Sequence, residues 1–117
     1  MKKTIINTPE APSPIGPYNQ AVLVNDTLYL SGQIPLIPET MTLLSDTVEA
    51  ETELVMKNLK AVLKAAHMDF ENVVKTSIFL DNMENFAAVN SVYGSFFDEA
   101  TAPARETVAV KTLPKSV

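Results

Sequence analysis

Two stretches with helical periodicity have to cover whatever sheet the rest of this chain builds, and two helices can cover only one face of it. The first stretch has Ser45 or Asp46 as its cap, with Glu49 three residues after Asp46 in the capping-box position. Val48, Thr52, Val55, Leu59, Val62 and Ala66 then step by four and three along one apolar face. Glu49, Glu51 and Glu53 stand near the positive end of the helix dipole, and Lys57, Lys60 and Lys64 toward the negative end. The second stretch begins near Asp81 or Asn82, with Glu84 again placed for a capping box. Its apolar face is Phe86, Val89, Tyr93 and Phe96, with Phe97 beside it.

The remaining segments alternate with period two. Residues 8–17 carry four of the eight prolines and read as a stiff loop, because proline fixes φ and cannot donate to a ladder. Gln20–Val24 and Thr27–Ser31 flank Asn25-Asp26, residue types that tolerate the positive φ of a two-residue hairpin turn. Gly32–Pro38 follows as an irregular loop. Val73–Leu80 alternates, with Lys75 and Ser77 on one side and Thr76, Ile78 and Leu80 on the other. Arg105–Val110 alternates as well, placing Arg105, Thr107 and Ala109 together and Glu106, Val108 and Val110 opposite. The expected order is ββ-α-β-α-β in one domain, residues 1–117, an α/β (α+β) fold whose mixed sheet carries both helices on one face. The uncovered face must meet water or another subunit, and short half-polar strands lead us to expect an oligomer built around it.

Composition narrows the chemistry. Nine Lys plus Arg stand against 14 Asp plus Glu, a formal charge of −5, which opposes binding to a phosphate backbone. With no cysteine and one histidine, disulfides, thiol catalysis and Cys/His metal centres are excluded. No stretch approaches the ~20 apolar residues that span a bilayer. The basic start Met1-Lys2-Lys3 runs into Asn7, Pro9 and Glu10 where a signal peptide would be apolar, so a cytoplasmic protein with an untargeted N-terminus is expected.

Arg105 is the only arginine beside eight lysines. Its planar guanidinium can meet a carboxylate with two parallel hydrogen bonds, which a lysine cannot; a surface ion pair is the competing reading. Thr107 shares its face. Gly32 permits close backbone approach and Ser31 offers a hydroxyl, although a turn glycine fits the same pattern. Tyr18 could place its phenol over a pocket or pack its loop onto the sheet. Asn90 borders the second apolar stripe and either faces solvent or reaches a buried partner. His67 stands where the first helix should end and suits a helix terminus better than catalysis. Asp98 and Glu99 are consecutive and do not face each other as an acid pair on a helix.

Taken together, Ile15-Gly-Pro-Tyr-Asn-Gln-Ala21, Leu30-Ser-Gly-Gln-Ile-Pro35, Val74-Lys-Thr-Ser-Ile-Phe-Leu80, Phe86-Ala-Ala-Val-Asn90, Ala102-Pro-Ala-Arg105 and Leu113-Pro-Lys115 resemble the RidA/YjgF/UK114 family almost end to end. The resemblance implies a chorismate-mutase-like fold assembled as a homotrimer, with sites in clefts between subunits. It implies hydrolysis of 2-imino acids, or their enamine tautomers, to 2-oxo acids and ammonia without a cofactor or metal. The expected partners are a small imino or oxo acid and the chain's own copies, with neither membrane nor nucleic acid. By the same resemblance Arg105 holds the substrate carboxylate, while Tyr18, Ser31, Gly32 and Asn90 shape the pocket. Thr107 stands where many relatives have cysteine, and its hydroxyl can still position water.

Three departures accompany this match. Relatives continue past the Leu-Pro-Lys segment into an internal strand bearing a glutamate that helps place the attacking water; this sequence stops at Val117. Because the rest of the pattern is intact, a shortened form of a longer chain is expected, the alternative being a compromised member whose sheet lacks that strand and leaves backbone groups unpaired. Thr40-Met41-Thr42 and His67 occupy positions where relatives commonly have glycine, so the turn should differ locally. A non-catalytic binder of 2-oxo carboxylates is the rival reading, and a ribonuclease, suggested by older family names, is disfavoured by the acidic charge and the lone Arg and His.

Overall fold

The computed structural model describes residues 2–117. Strands β1 (Lys3–Ile6), β2 (Ala21–Val24) and β3 (Thr27–Leu30) form an antiparallel sheet in the order β1-β2-β3. Val24 pairs with Thr27 across the two-residue turn, where Asn25 adopts φ 54°. β4 (Leu36–Ile37) and β5 (Thr42–Leu43) make a short antiparallel ribbon. α1 (Val48–Ala65) then leads through a 3₁₀ turn to β6 (Lys75–Leu80), and α2 (Phe86–Gly94) leads to β7 (Ala104–Ala109), which pairs with β6 in parallel. A helix between two parallel strands is the connection such a pair requires.

Several expectations are corrected. A single mixed sheet does not form: the ladders fall into three separate sheets, with β3 bonded only to β2 and β7 only to β6 among the described residues. What unites them is the layer beneath. Leu28 and Leu30 of β3 and Ile78 of β6 pack on one cluster built from Met56 and Leu63 of α1, Phe70, and Tyr93 of α2. β1 was not anticipated, because Lys-Thr-Ile-Ile does not alternate and no turn signal like Asn25-Asp26 flanks it. β4 and β5 fall in and after the stretch expected to be irregular.

The helix caps move as well. Thr47, not Ser45 or Asp46, caps α1, accepting from the Ala50 amide at 3.1 Å, and an alanine at the third position leaves no capping box. Asn82 caps a 3₁₀ turn, Met83–Asn85, rather than α2 itself, by accepting from the Glu84 amide. The buried stripe of α1 is also rotated: Met56, Asn58, Val62 and Leu63 are buried. Asn58 belongs there because its amide donates to the carbonyls of Leu36 and Ile34, tying α1 to the β4 segment.

His67 ends α1 as expected, in a Schellman turn. Its amide donates to the Lys64 carbonyl and the Met68 amide to the Leu63 carbonyl, while His67 takes φ 61°. Met41 takes φ 57° in the β4–β5 turn. Both positions impose left-handed backbone on side chains that resist it.

The opposite side of the sheets is uncovered. Tyr29 is 64% exposed, Phe79 54% and Val108 43%, each alternating with residues that face the helices. Between them Glu106 accepts from the Ser77 hydroxyl at 2.6 Å and pairs with Lys75. That pairing, first with Lys75 and then with Ser77, holds the Glu106 carboxyl below its usual range. No described helix is long and apolar enough to cross a membrane.

Candidate functional site

One stripe of α2 meets the start of β7. Phe86, Asn90 and Tyr93 are spaced by four and three, so they share one helix face. Arg105 is the second residue of β7 and, by alternation, projects to the helix side with Thr107. Its guanidinium donates from Nη1 to Asn90 Oδ1 at 2.6 Å. The same group lies 5.0 Å from the Tyr93 ring centroid and 5.7 Å from that of Phe86. No carboxylate stands within 4.0 Å of it among the described residues, so the competing surface ion pair is not made. A guanidinium carries five N–H donors, and the Asn90 bond uses one.

A cavity of about 540 Å³ opens beside this group, lined by Asn90, Tyr93, Phe97, Glu99, Pro103 and Arg105, among others. Arg105 and Asn90 are thus brought together at one cavity. Tyr93 and Phe86 were read only as core; the signal was an amide set inside an otherwise aromatic stripe. Glu99, discounted as half of an acid pair, stands at the cavity wall.

The remaining candidates lie elsewhere. Thr107 does not line the cavity, but its Oγ1 is buried and is the one buried side-chain oxygen or nitrogen without a hydrogen-bond partner among the described residues. Tyr18, Ser31 and Gly32 do not line it either. Tyr18 accepts from the Ile15 amide at 3.2 Å, and the Ser31 hydroxyl donates to the Asn19 carbonyl at 2.6 Å. Gly32 has ordinary negative φ, and a Cβ there would meet nothing within 4 Å. Its absent side chain leaves open surface rather than relieving a crowded backbone.

A residue the sequence reading passed over orders this second group. Gln20 is 2% exposed; its Oε1 accepts from the Thr8 amide at 2.7 Å, and its Nε2 donates to the carbonyls of Thr8, Ala11 and Pro12. One amide thereby clamps the proline-rich loop that leads to Tyr18. No cluster of three or more His, Cys, Asp or Glu side chains is placed to hold a metal among the described residues.

A family model described as Endoribonuclease L-PSP matches residues 8–117. RutC family protein slr0709 of Synechocystis is 53% identical over all of this chain and 91% of its own length. The human protein named 2-iminobutanoate/2-iminopropanoate deaminase is 44% identical over 97% of this chain and 82% of its own. The crystal structure of E. coli TdcF with bound serine superposes with a TM-score of 0.89 at 39% identity, covering 97% of this chain and 90% of that one. The arginine cradle therefore sits in a chain that belongs to the RidA/RutC family, whose model carries the endoribonuclease L-PSP description.

Proposed function

We propose that this protein hydrolyses reactive 2-imino acids to 2-oxo acids and ammonia, with Arg105 as the anchor for the substrate carboxylate. The observation that carries this reading is a guanidinium held by an amide and two aromatic rings while no acid neutralises it. Its free N–H groups can form the two parallel bonds a carboxylate accepts. The human relative's name and the serine bound to TdcF point to the same ligand chemistry, a small molecule with an α-carboxylate. Glu99 on the cavity wall disfavours a second negative charge, so a monocarboxylate is the better substrate.

The reaction asks little of the protein. Water adds to the electrophilic C=N carbon, the nitrogen takes up the protons, and the C–N bond breaks to release ammonia and leave the 2-oxo acid. Holding the carboxylate fixes the reacting carbon, and placing one water against it supplies the rest. The unpartnered Thr107 Oγ1 lies on the same face of β7, two residues and roughly 7 Å along the strand. It is our candidate for binding that water.

Tyr18, Ser31 and Gly32 enter the site from a neighbouring copy in this reading. They are ordered by their own loop yet line no part of the Arg105 cavity. The apolar uncovered face with Tyr29, Phe79 and Val108 supplies the contact for a homotrimer of chorismate-mutase-like form. The net charge of −5 and the single arginine favour this reading over ribonuclease action.

The test couples a PLP-dependent serine or threonine dehydratase to 2-oxo acid detection. Added protein should speed 2-oxo acid release, and Arg105→Ala should abolish the gain. Binding of 2-oxobutanoate without any acceleration would assign a carboxylate-binding role instead, and an unaffected Arg105→Ala would refute the anchor.

A further inference from the structure

We infer that Tyr93, backed by Thr76, is a positioning residue that sets the plane in which the Arg105 guanidinium meets its carboxylate. This rests on the reading of Arg105 as the carboxylate anchor and adds what aims it.

A single hydrogen bond to Asn90 leaves the guanidinium free to turn about that contact. The Tyr93 face at 5.0 Å and the Phe86 ring at 5.7 Å restrict the turn, because a planar cation is attracted to aromatic faces. The Tyr93 ring is itself immobilised. It is buried, its centroid is 4.8 Å from that of Phe97, and its hydroxyl lies 2.8 Å from Thr76 Oγ1.

Thr76 is the residue of β6 that stands in register with Arg105 on β7. The two register partners are therefore each tied to α2, Thr76 to Tyr93 and Arg105 to Asn90, and these helix residues are three apart. Two strands and one helix close a four-residue ring. A shift of α2 carries the amide and the tyrosine ring together, so the guanidinium keeps its orientation relative to both.

The chemistry of the ring members favours a role in aiming the cation over one in cementing the core. A carboxylate would hold Arg105 more strongly, but it would occupy the donors that a ligand needs. Asn90, Tyr93 and Phe86 are uncharged, so they orient the cation without neutralising it.

The test uses Tyr93→Phe, which keeps the ring and removes the bond, and Thr76→Val, which removes it from the other side at nearly constant volume. In each, the dissociation constant of 2-oxobutanoate and the KM for the 2-imino acid should rise together by about five-fold, the effect of one hydrogen bond of ordinary strength, while kcat stays within about two-fold. The double variant should be no worse than the weaker single, because both remove the same bond. Arginine side-chain NMR should show the Arg105 Nη protons averaging faster in both. Unchanged KM and Kd, a fall in melting temperature alone, or additive effects would overturn the inference. Loss of 2-oxobutanoate binding in Arg105→Ala alongside normal binding in Tyr93→Phe and Thr76→Val would refute the positioning role and keep the anchor. Normal binding in Arg105→Ala would remove the anchor itself.

Discussion

The Arg105 cradle and the Tyr18–Ser31–Gly32 segment are built by opposite means. The cradle is assembled from three elements distant in sequence, with β6, β7 and α2 linked by side-chain hydrogen bonds that each cross at least fifteen positions. The Tyr18 segment is ordered from within its own neighbourhood: its longest bonds reach only as far as twelve residues, and a side chain at Gly32 would meet nothing in the chain. In the proposed reading the first region is the receptor for one functional group, the substrate carboxylate. The second is a shaped edge awaiting something to shape. If the two regions are halves of one site, as proposed, damage to each should have a different effect, and that difference can be measured.

The largest effect should come from separating the halves. Phe79→Glu with Val108→Glu places two charges on the uncovered face, and we expect loss of the proposed trimer in sedimentation with a fall in kcat/KM of at least about 100-fold. Arg105 packing should survive, seen as an unchanged near-ultraviolet signal from Tyr93. Next is the clamp behind the second half. Gln20→Leu strands the Thr8 amide and three carbonyls in a buried place, costing about 3 kcal/mol in denaturant unfolding. The protein that remains folded should lose the order of the proline loop first, detectable as faster proteolysis near residues 9–17.

His67 lies outside both halves and serves as the control. His67→Gly relieves the left-handed backbone of the Schellman turn and should stabilise by about 1 kcal/mol with activity unchanged. The smallest effect concerns the face of β7 opposite Arg105. Glu106 titrates below its usual 4.5 because of Lys75 and then Ser77. A lowered folded-state value stabilises above the unfolded value, and that contribution disappears as pH falls through the lowered one. Thermal unfolding should therefore show Glu106→Gln below the wild type near neutral pH, the gap closing on acidification.

How much of this was legible in the sequence depended on whether the decisive contact was local. Alternation placed Arg105 with Thr107 and Lys75 with Ser77 correctly, since side-chain direction in a strand follows from parity alone. Asn25 and His67 were readable because a turn and a helix end demand unusual φ at one position. The α1 cap differs by one or two residues, because Ser45, Asp46 and Thr47 are all competent caps and the local sequence does not rank them; Thr47 is the one that accepts from the Ala50 amide. Arg105 stood out as a lone arginine, and Asn90 as an amide beside an apolar stripe. Tyr93 could not, for its role depends on Thr76 and Arg105 becoming neighbours across a parallel ladder whose register no local pattern encodes. Gln20 was hidden likewise: its partners are carbonyls, which every residue carries.

The central claim, that Arg105 of one copy and the Tyr18 segment of another act on the same substrate, is tested most directly by complementation. Arg105→Ala and a Tyr18→Ala, Ser31→Ala double variant should each be inactive alone. Refolded together in equal amounts, random trimers restore an intact pair of halves at roughly one interface in four, so about a quarter of wild-type turnover should return. Mixed trimers that form yet stay inactive, or a Tyr18→Ala, Ser31→Ala variant with full activity by itself, would contradict the account.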